Sequence, residues 1–507
     1  MTPLQLIVRL PVAVWKLTGL ASLASIGWLL LAVSSHAQQS KPMFRAGAST
    51  SNISPPLGSS LNGGFQDRKA QFIHDELHAR TIVLDDGKST LAFIVCDLCM
   101  IPRSVVLDAK EQIRQATGIP PENVVISATH THSAPTCDSV FQSDPSEVYR
   151  QFLANRIADG ARRAVFNLTE ARIGWGMGRN TTQSHNRRWR MKPGTIPPNP
   201  FGEVDQVQMN PPVASPNLVE PAGPIDPDVA VVSLRRPDGS PIALLANFAL
   251  HYVGDTGPGH VSADYFGAFA DRVQELLSAD RRDPPFVAIL SNGTSGDINN
   301  INFREPRQPG PAYSRIRAVA DELAREAVRV AEEIRYRDQV TLDARATTIE
   351  LGVRRPNAAE LERAEAIIAK VKGREMRTSE EVYAREALKL KDYPATVPVT
   401  LAALRVGELA ILAIPCEVFV EIGLELKRTS PFKPTFTIEL ANGYNGYLPT
   451  EKHHALGGYE TWRARSSYLE VGASSRIIRE IQALLKELAS PSPNAGASSL
   501  PNLRDQQ

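Results

Sequence analysis

Short apolar runs alternate along the chain with longer amphipathic stretches, and most of the runs end in small polar residues or glycine. Residues 74–84 enter a strand, Asp85-Asp86-Gly87 reads as a hairpin turn, and residues 91–98 return as the partner strand. Val105, Val106, Ala109 and Ile113 share one side of a helix over 102–117, which Gly118-Ile119-Pro120 stops. Val124-Val125-Ile126 predicts a buried strand that runs into Ser127-Ala128-Thr129-His130-Thr131-His132-Ser133-Ala134-Pro135. Further hairpins are expected at 228–234 with 242–249 and at 398–406 with 409–414. Single strands are expected at 171–175, 286–290, 340–351 and 435–440. Helices are expected over 147–167, 263–277, 312–337 and 474–488, with a charged helical pair over 357–390. Pro415-Cys416-Glu417 reads as the opening of another helix, to about Arg428. Residues 192–228 are rich in proline with little periodicity, a long loop of the kind that usually carries function. The order is mixed α/β with antiparallel hairpins and no segment repeats another; neither a TIM barrel nor a doubly wound sheet fits it.

Charge changes this picture little: 56 Lys and Arg stand against 55 Asp and Glu, with no basic stripe to suggest nucleic acid. The N-terminus adds a targeting segment. Arg9 and Lys16 precede an apolar stretch over 17–33, and Ser35-His36-Ala37 offers small residues for a cut before Gln38. Residues 1–37 therefore read as a signal peptide for export to the periplasm or outside the cell. An uncleaved anchor is the competing reading, because the apolar run is just short of a membrane span. Residues 489–507 are rich in Ser, Pro and Asn and read as a disordered tail. Cys96 and Cys99 form a lone CxxC inside an apolar run, so they read, with Cys137 and Cys416, as small core residues.

The candidate chemistry lies where the runs end. On a strand, residues two apart face the same way, so His130 and His132 aim two imidazoles at one spot. Such a pair starts a zinc site or simply hydrogen-bonds locally. Other runs end in His251, in 292–300 with Asp297, and in Tyr444 with Tyr447, while a hairpin-to-helix junction delivers Glu417. Two His, a carboxylate and a Tyr around Zn²⁺, with a water in the open position, suit hydrolysis.

The ordered set of motifs resembles the neutral (non-lysosomal) ceramidase family. It comprises Pro55-Pro56, 74–87, Ser127 to Pro135, His251 after Asn247-Phe248-Ala249-Leu250, and Asn292-Gly293 with Gly296-Asp297, followed by Pro415-Cys416-Glu417 and 442–447. The resemblance spans a domain of residues 45–488. It implies two packed β-sheets flanked by helices, an αββα-like sandwich with a zinc site at strand ends. It also implies hydrolysis of the amide of an N-acylsphingosine or related N-acyl lipid, hence a lipid-like small-molecule substrate and transient contact with a membrane surface. Carried over by position, the metal ligands would be His130, His251, Glu417 and Tyr447, with Tyr444 competing for the last place. His132 and Arg187 would face the substrate, and Asp297 would orient the site or act as acid or base. Asn299 stands where the family has a serine. The chain also stops soon after Leu488, without the immunoglobulin-like domain of the family's ceramidases. These departures leave two other readings open: the same zinc chemistry on a different amide or ester, or a binding protein that kept the fold.

Overall fold

The structure is a computed structural model that describes residues 43–279 and 283–490. The expected signal peptide and nearly all of the expected tail lie outside these residues. Three sheets dominate. In the first, β1 (Arg45–Asn52), β2 (His78–Asp85) and β3 (Thr90–Cys96) are antiparallel neighbours; α1 (Arg103–Thr117) then leads to β4 (Val124–Ala128), which pairs parallel to β3, and α2 (Glu147–Phe166) follows. The second sheet repeats that path. Strands β5 (Arg172–Arg179), β6 (Asp228–Arg235) and β7 (Pro241–Phe248) are antiparallel, α3 (Asp264–Leu276) crosses over to the parallel β8 (Val287–Asn292), and α4 (Ser314–Glu333) follows.

The third sheet does so again. It runs through β9 (Leu342–Gly352), the helical pair α5 (Ala358–Val371) and α6 (Ser379–Leu390), then β10 (Thr396–Val406) and β11 (Leu409–Ala413). Helix α7 (Val420–Thr429) leads to β12 (Thr435–Ile438), parallel to β11, and α8 (Ala473–Ala489) closes the unit. The chain thus repeats one path three times, although no segment repeats another in sequence. What recurs is alternation and helical period, which many residue choices satisfy.

Period-two alternation explains the layers. Ile82 and Leu84 of β2, Val232 and Leu234 of β6, and Leu404 and Val406 of β10 point into one shared inner core. The opposite faces carry Val83, Val231 and Ala403, which pack under α1 and α2, under α3 and α4, and under α7 and α8 respectively. The expected mixed α/β layering, helices outside packed sheets, is present. Three sheets rather than two share the core.

Two local expectations differ from the structure. Glu417 does not open a helix: Glu417–Val418 forms a short parallel ladder with Tyr447–Leu448, and α7 begins at Val420. The long loop over 192–228 is partly ordered, because Gln208–Met209 and Leu218–Pro221 flank Arg188–Met191 in a three-stranded ribbon. No helix among the described residues is long and apolar enough to cross a membrane.

Candidate metal centre

The three parallel edge strands end together. Asn442 donates its backbone N–H to Ile126 O (2.7 Å), Glu439 donates its own to Asn292 O (3.1 Å), and the Asn292 side chain reaches Thr129 O (3.3 Å). Carboxyl ends of strands in sheets with βαβ crossovers are where such folds build sites. Here they bring one residue group from each repeat to one point.

His130 and His132 do not converge through the pleat of a strand, as expected. Strand β4 stops at Ala128, and His130 takes a left-handed backbone conformation at φ 76°. This turn, rather than strand period, brings the two rings to one spot. Gly63 makes room for His132: a Cβ at that glycine, itself at φ 106°, would lie 2.3 Å from the ring. Tyr252 stacks on the His132 ring, with centroids 3.6 Å apart.

His130 Nε2 lies 3.1 Å from His251 Nε2, 3.2 Å from His132 Nε2 and 3.2 Å from Glu417 Oε2. His251 Nε2 is 3.4 Å from the same carboxylate oxygen. The far sides of two rings fix their tautomers. His130 Nδ1–H donates to Cys99 O (2.9 Å), and His251 Nδ1–H donates to Ser295 O (2.8 Å). Both Nε2 atoms then carry lone pairs, as does Glu417 Oε2, a buried oxygen with no hydrogen-bond donor. Acceptors that face one another in a buried place repel unless a cation lies between them. A tetrahedral zinc with bonds of about 2.0 Å spaces its donors by about 3.3 Å, so the residues present fit such an ion.

The proton affinities agree. Burial opposes ionisation of Glu417, but His130 and His251 outweigh it and hold the carboxyl well below its usual range. Burial, then Arg187, pulls His251 down to about 3, leaving it neutral. Burial also disfavours charge on His130, yet Glu417 outweighs it and raises the ring's proton affinity. The lone pair that draws a proton is the one that would bind a metal. His132 is kept neutral, chiefly by burial.

Both tyrosines reach the cluster, by different routes. Tyr444 donates its hydroxyl to Glu417 Oε1 (3.0 Å). Tyr447, brought alongside by the Glu417 ladder, has its hydroxyl 3.1 Å from an Arg187 amine. Arg187 is itself clamped by Glu460 (2.9 Å) and Gly296 O (2.8 Å), and stays cationic because Tyr447 and Glu460 outweigh the cost of burial. Gly296 also packs against the Glu417 main chain, where a Cβ would lie 2.6 Å from Glu417 O.

Asp297 faces away from the histidines. Its oxygens accept from Val420 N (2.9 Å) at the start of α7 and from Asn186 (2.7 Å), and its carbonyl accepts from Arg187 N (2.9 Å). Asn299 bonds Asn210 (2.7 Å) and Ile301 N (2.9 Å), and none of its hydrogen bonds reaches the cluster. A cavity of about 30 Å³ opens over the cluster, walled by Phe141, Tyr444, Tyr447 and Tyr459. Sequence reasoning missed Glu460 and Glu439, both fully buried; each is an isolated acid with no motif around it. His453 is also fully buried, in the short helix Glu451–Leu456.

Fold and site together define a mixed α/β protein with a buried His–His–Glu candidate metal centre at strand ends. The chain belongs to the neutral/alkaline non-lysosomal ceramidase family, whose N-terminal domain model matches residues 44–307. That match includes His130 and His251 and ends before Glu417. The neutral ceramidase of Pseudomonas aeruginosa is 22% identical over 495 residues, covering 85% of this chain and 70% of that protein. Neutral ceramidase A of Dictyostelium discoideum is 23% identical over 274 residues, 51% of this chain and 35% of that protein. The crystal structure of the Pseudomonas enzyme superposes with a TM-score of 0.67 at 17% identity, covering 92% of this chain and 78% of that one. A structure of ceramidase complexed with C2 gives the same TM-score at 18% identity.

Proposed function

We propose that this chain is a zinc-dependent amidohydrolase that cleaves ceramide or a related N-acyl lipid. The observation that carries the reading is the convergence of His130 Nε2, His251 Nε2 and Glu417 Oε2, three buried ligand atoms within reach of one ion, the carboxylate oxygen having no hydrogen-bond partner. Family membership supports the substrate class. His130, His251 and Glu417 would hold the ion, with Tyr447 as fourth ligand or as partner of Arg187. A zinc ion bound there supplies a water nucleophilic near neutral pH and polarises an amide carbonyl.

The remaining residues bind and orient. Arg187, fixed by Glu460 and Gly296, presents a positive charge where a carbonyl oxygen gains negative charge. Neutral His132 lines the same cavity and offers a ring nitrogen to the substrate. Asp297 positions Arg187 and the start of α7, and Asn299 supports the neighbouring loop. The aromatic walls keep bulk water from the reacting group. The N-terminal segment supports export, and a lipid substrate would bring the protein into transient contact with a membrane surface.

The test is a panel of ceramides, other N-acyl compounds and esters incubated with zinc-loaded protein. Release of fatty acid from ceramide is the expected result. Release only from other amides or esters would move the substrate class while keeping the chemistry.

A further inference from the structure

Glu439 lies one residue past β12 and is fully buried. Its Oε1 accepts from Ser295 Oγ (2.6 Å), and its Oε2 accepts from Ser295 N (3.1 Å) and Val418 N (2.7 Å). Both donor residues are one step from the candidate metal ligands. The carbonyl of Ser295 takes the Nδ1–H of His251, and Val418 directly follows Glu417. The main chain makes the same link, since Glu439 N bonds Asn292 O (3.1 Å) and Gly296 N bonds Val418 O (2.9 Å).

We infer that Glu439 is a positioning residue that locks His251 and Glu417 in register, through Ser295 and Val418, so that their metal-binding atoms meet. A single side chain thereby couples the second repeat's ligand to the third's. Partners behind metal ligands typically set about 10- to 100-fold in metal affinity. The inference rests on the metal reading proposed above.

The test separates shape from hydrogen bonding. Glu439→Met keeps the chain length and removes every acceptor. Glu439→Gln can keep all three bonds, its oxygen accepting both N–H groups and its amide donating to Ser295 Oγ. Zn²⁺ affinity would be measured by competition with a chromophoric chelator, and ligand geometry by the visible bands of the Co²⁺-loaded protein. Glu439→Met should bind Zn²⁺ about 10- to 100-fold more weakly with shifted Co²⁺ bands, and Glu439→Gln should recover most of both. Should Glu439→Met not fold, Ser295→Ala, which deletes one of the three donors, should show the same weakening on a smaller scale.

Wild-type affinity and bands in Glu439→Met, or in Ser295→Ala where that variant carries the test, would overturn the inference; so would equal damage in Glu439→Gln and Glu439→Met. Wild-type protein that takes up no metal would instead overturn the metal reading itself.

Discussion

The cavity at the candidate metal centre is about 30 Å³, while a cleft beside α3 and α4 is about 650 Å³. Volume alone would assign function to the cleft. The bonding says otherwise. In the cleft the polar groups answer one another: Asp264 accepts from Val253 N, Gly254 N and Tyr265 N, and Asp75 accepts from His74 and Ala263 N. Arg272 spans Asp321 and Glu275. In the small cavity, two imidazole nitrogens and a carboxylate oxygen without a hydrogen-bond partner meet at one buried point. Buried ligand atoms that converge on one point are a stronger mark of chemistry than space for a ligand.

The largest effect that could break this comparison is on turnover. His251→Ala should lower hydrolysis by more than about 1000-fold, beyond the range of outer-shell losses, while circular dichroism shows a folded protein. A loss below tenfold would remove His251 from the centre. Next is the Arg187 clamp. Arg187→Ala leaves the buried Glu460 carboxylate to Arg188 alone and should cost about 1.5–3 kcal/mol of stability in urea unfolding, the range for a lost hydrogen bond to a charged group. Arg187→Lys should cost less and still lose most activity, because a single ammonium cannot reproduce the forked contact.

The cleft yields a pH effect. Burial pushes the Asp264 carboxyl up to about 6, against the pull of the backbone N–H groups it accepts. A carboxyl whose folded value is raised stabilises the fold fully below its unfolded value, near 4, and loses that contribution as pH rises through 6. Unfolding free energies from pH 7.5 down to about 4 should therefore rise for wild type relative to Asp264→Asn, by up to about 3 kcal/mol. A flat difference would show that burial does not burden this carboxyl. The smallest effect sharpens the contrast. Asp271→Asn, in the cleft lining, should leave turnover and zinc affinity within about twofold, as substitutions away from a site usually do.

How far the site was legible in the sequence follows the range of the forces involved. Hairpins, helices and apolar run ends are local, and the positions of His130, His251 and Glu417 at such ends could be read from them. The pairing of Glu417 with Tyr447 could not, because it joins two short segments that carry no alternation. Nor could the φ of His130, which is set by the loop between β4 and α2. Glu439 and Glu460 were invisible for a related reason: their importance lies in burial and in partners far along the chain. The three-fold repeat of path escaped notice because topology repeats without residue identity.

The central claim is that His130, His251 and Glu417 hold a metal ion. Its most direct test is zinc content by mass spectrometry, for wild type and Glu417→Gln, each loaded with Zn²⁺ and freed of excess by gel filtration. The account predicts one zinc per wild-type chain and less than about a tenth as much in a folded Glu417→Gln, since the amide removes the charge that the site is built around. Zinc-free wild type, or full zinc in Glu417→Gln, would contradict it.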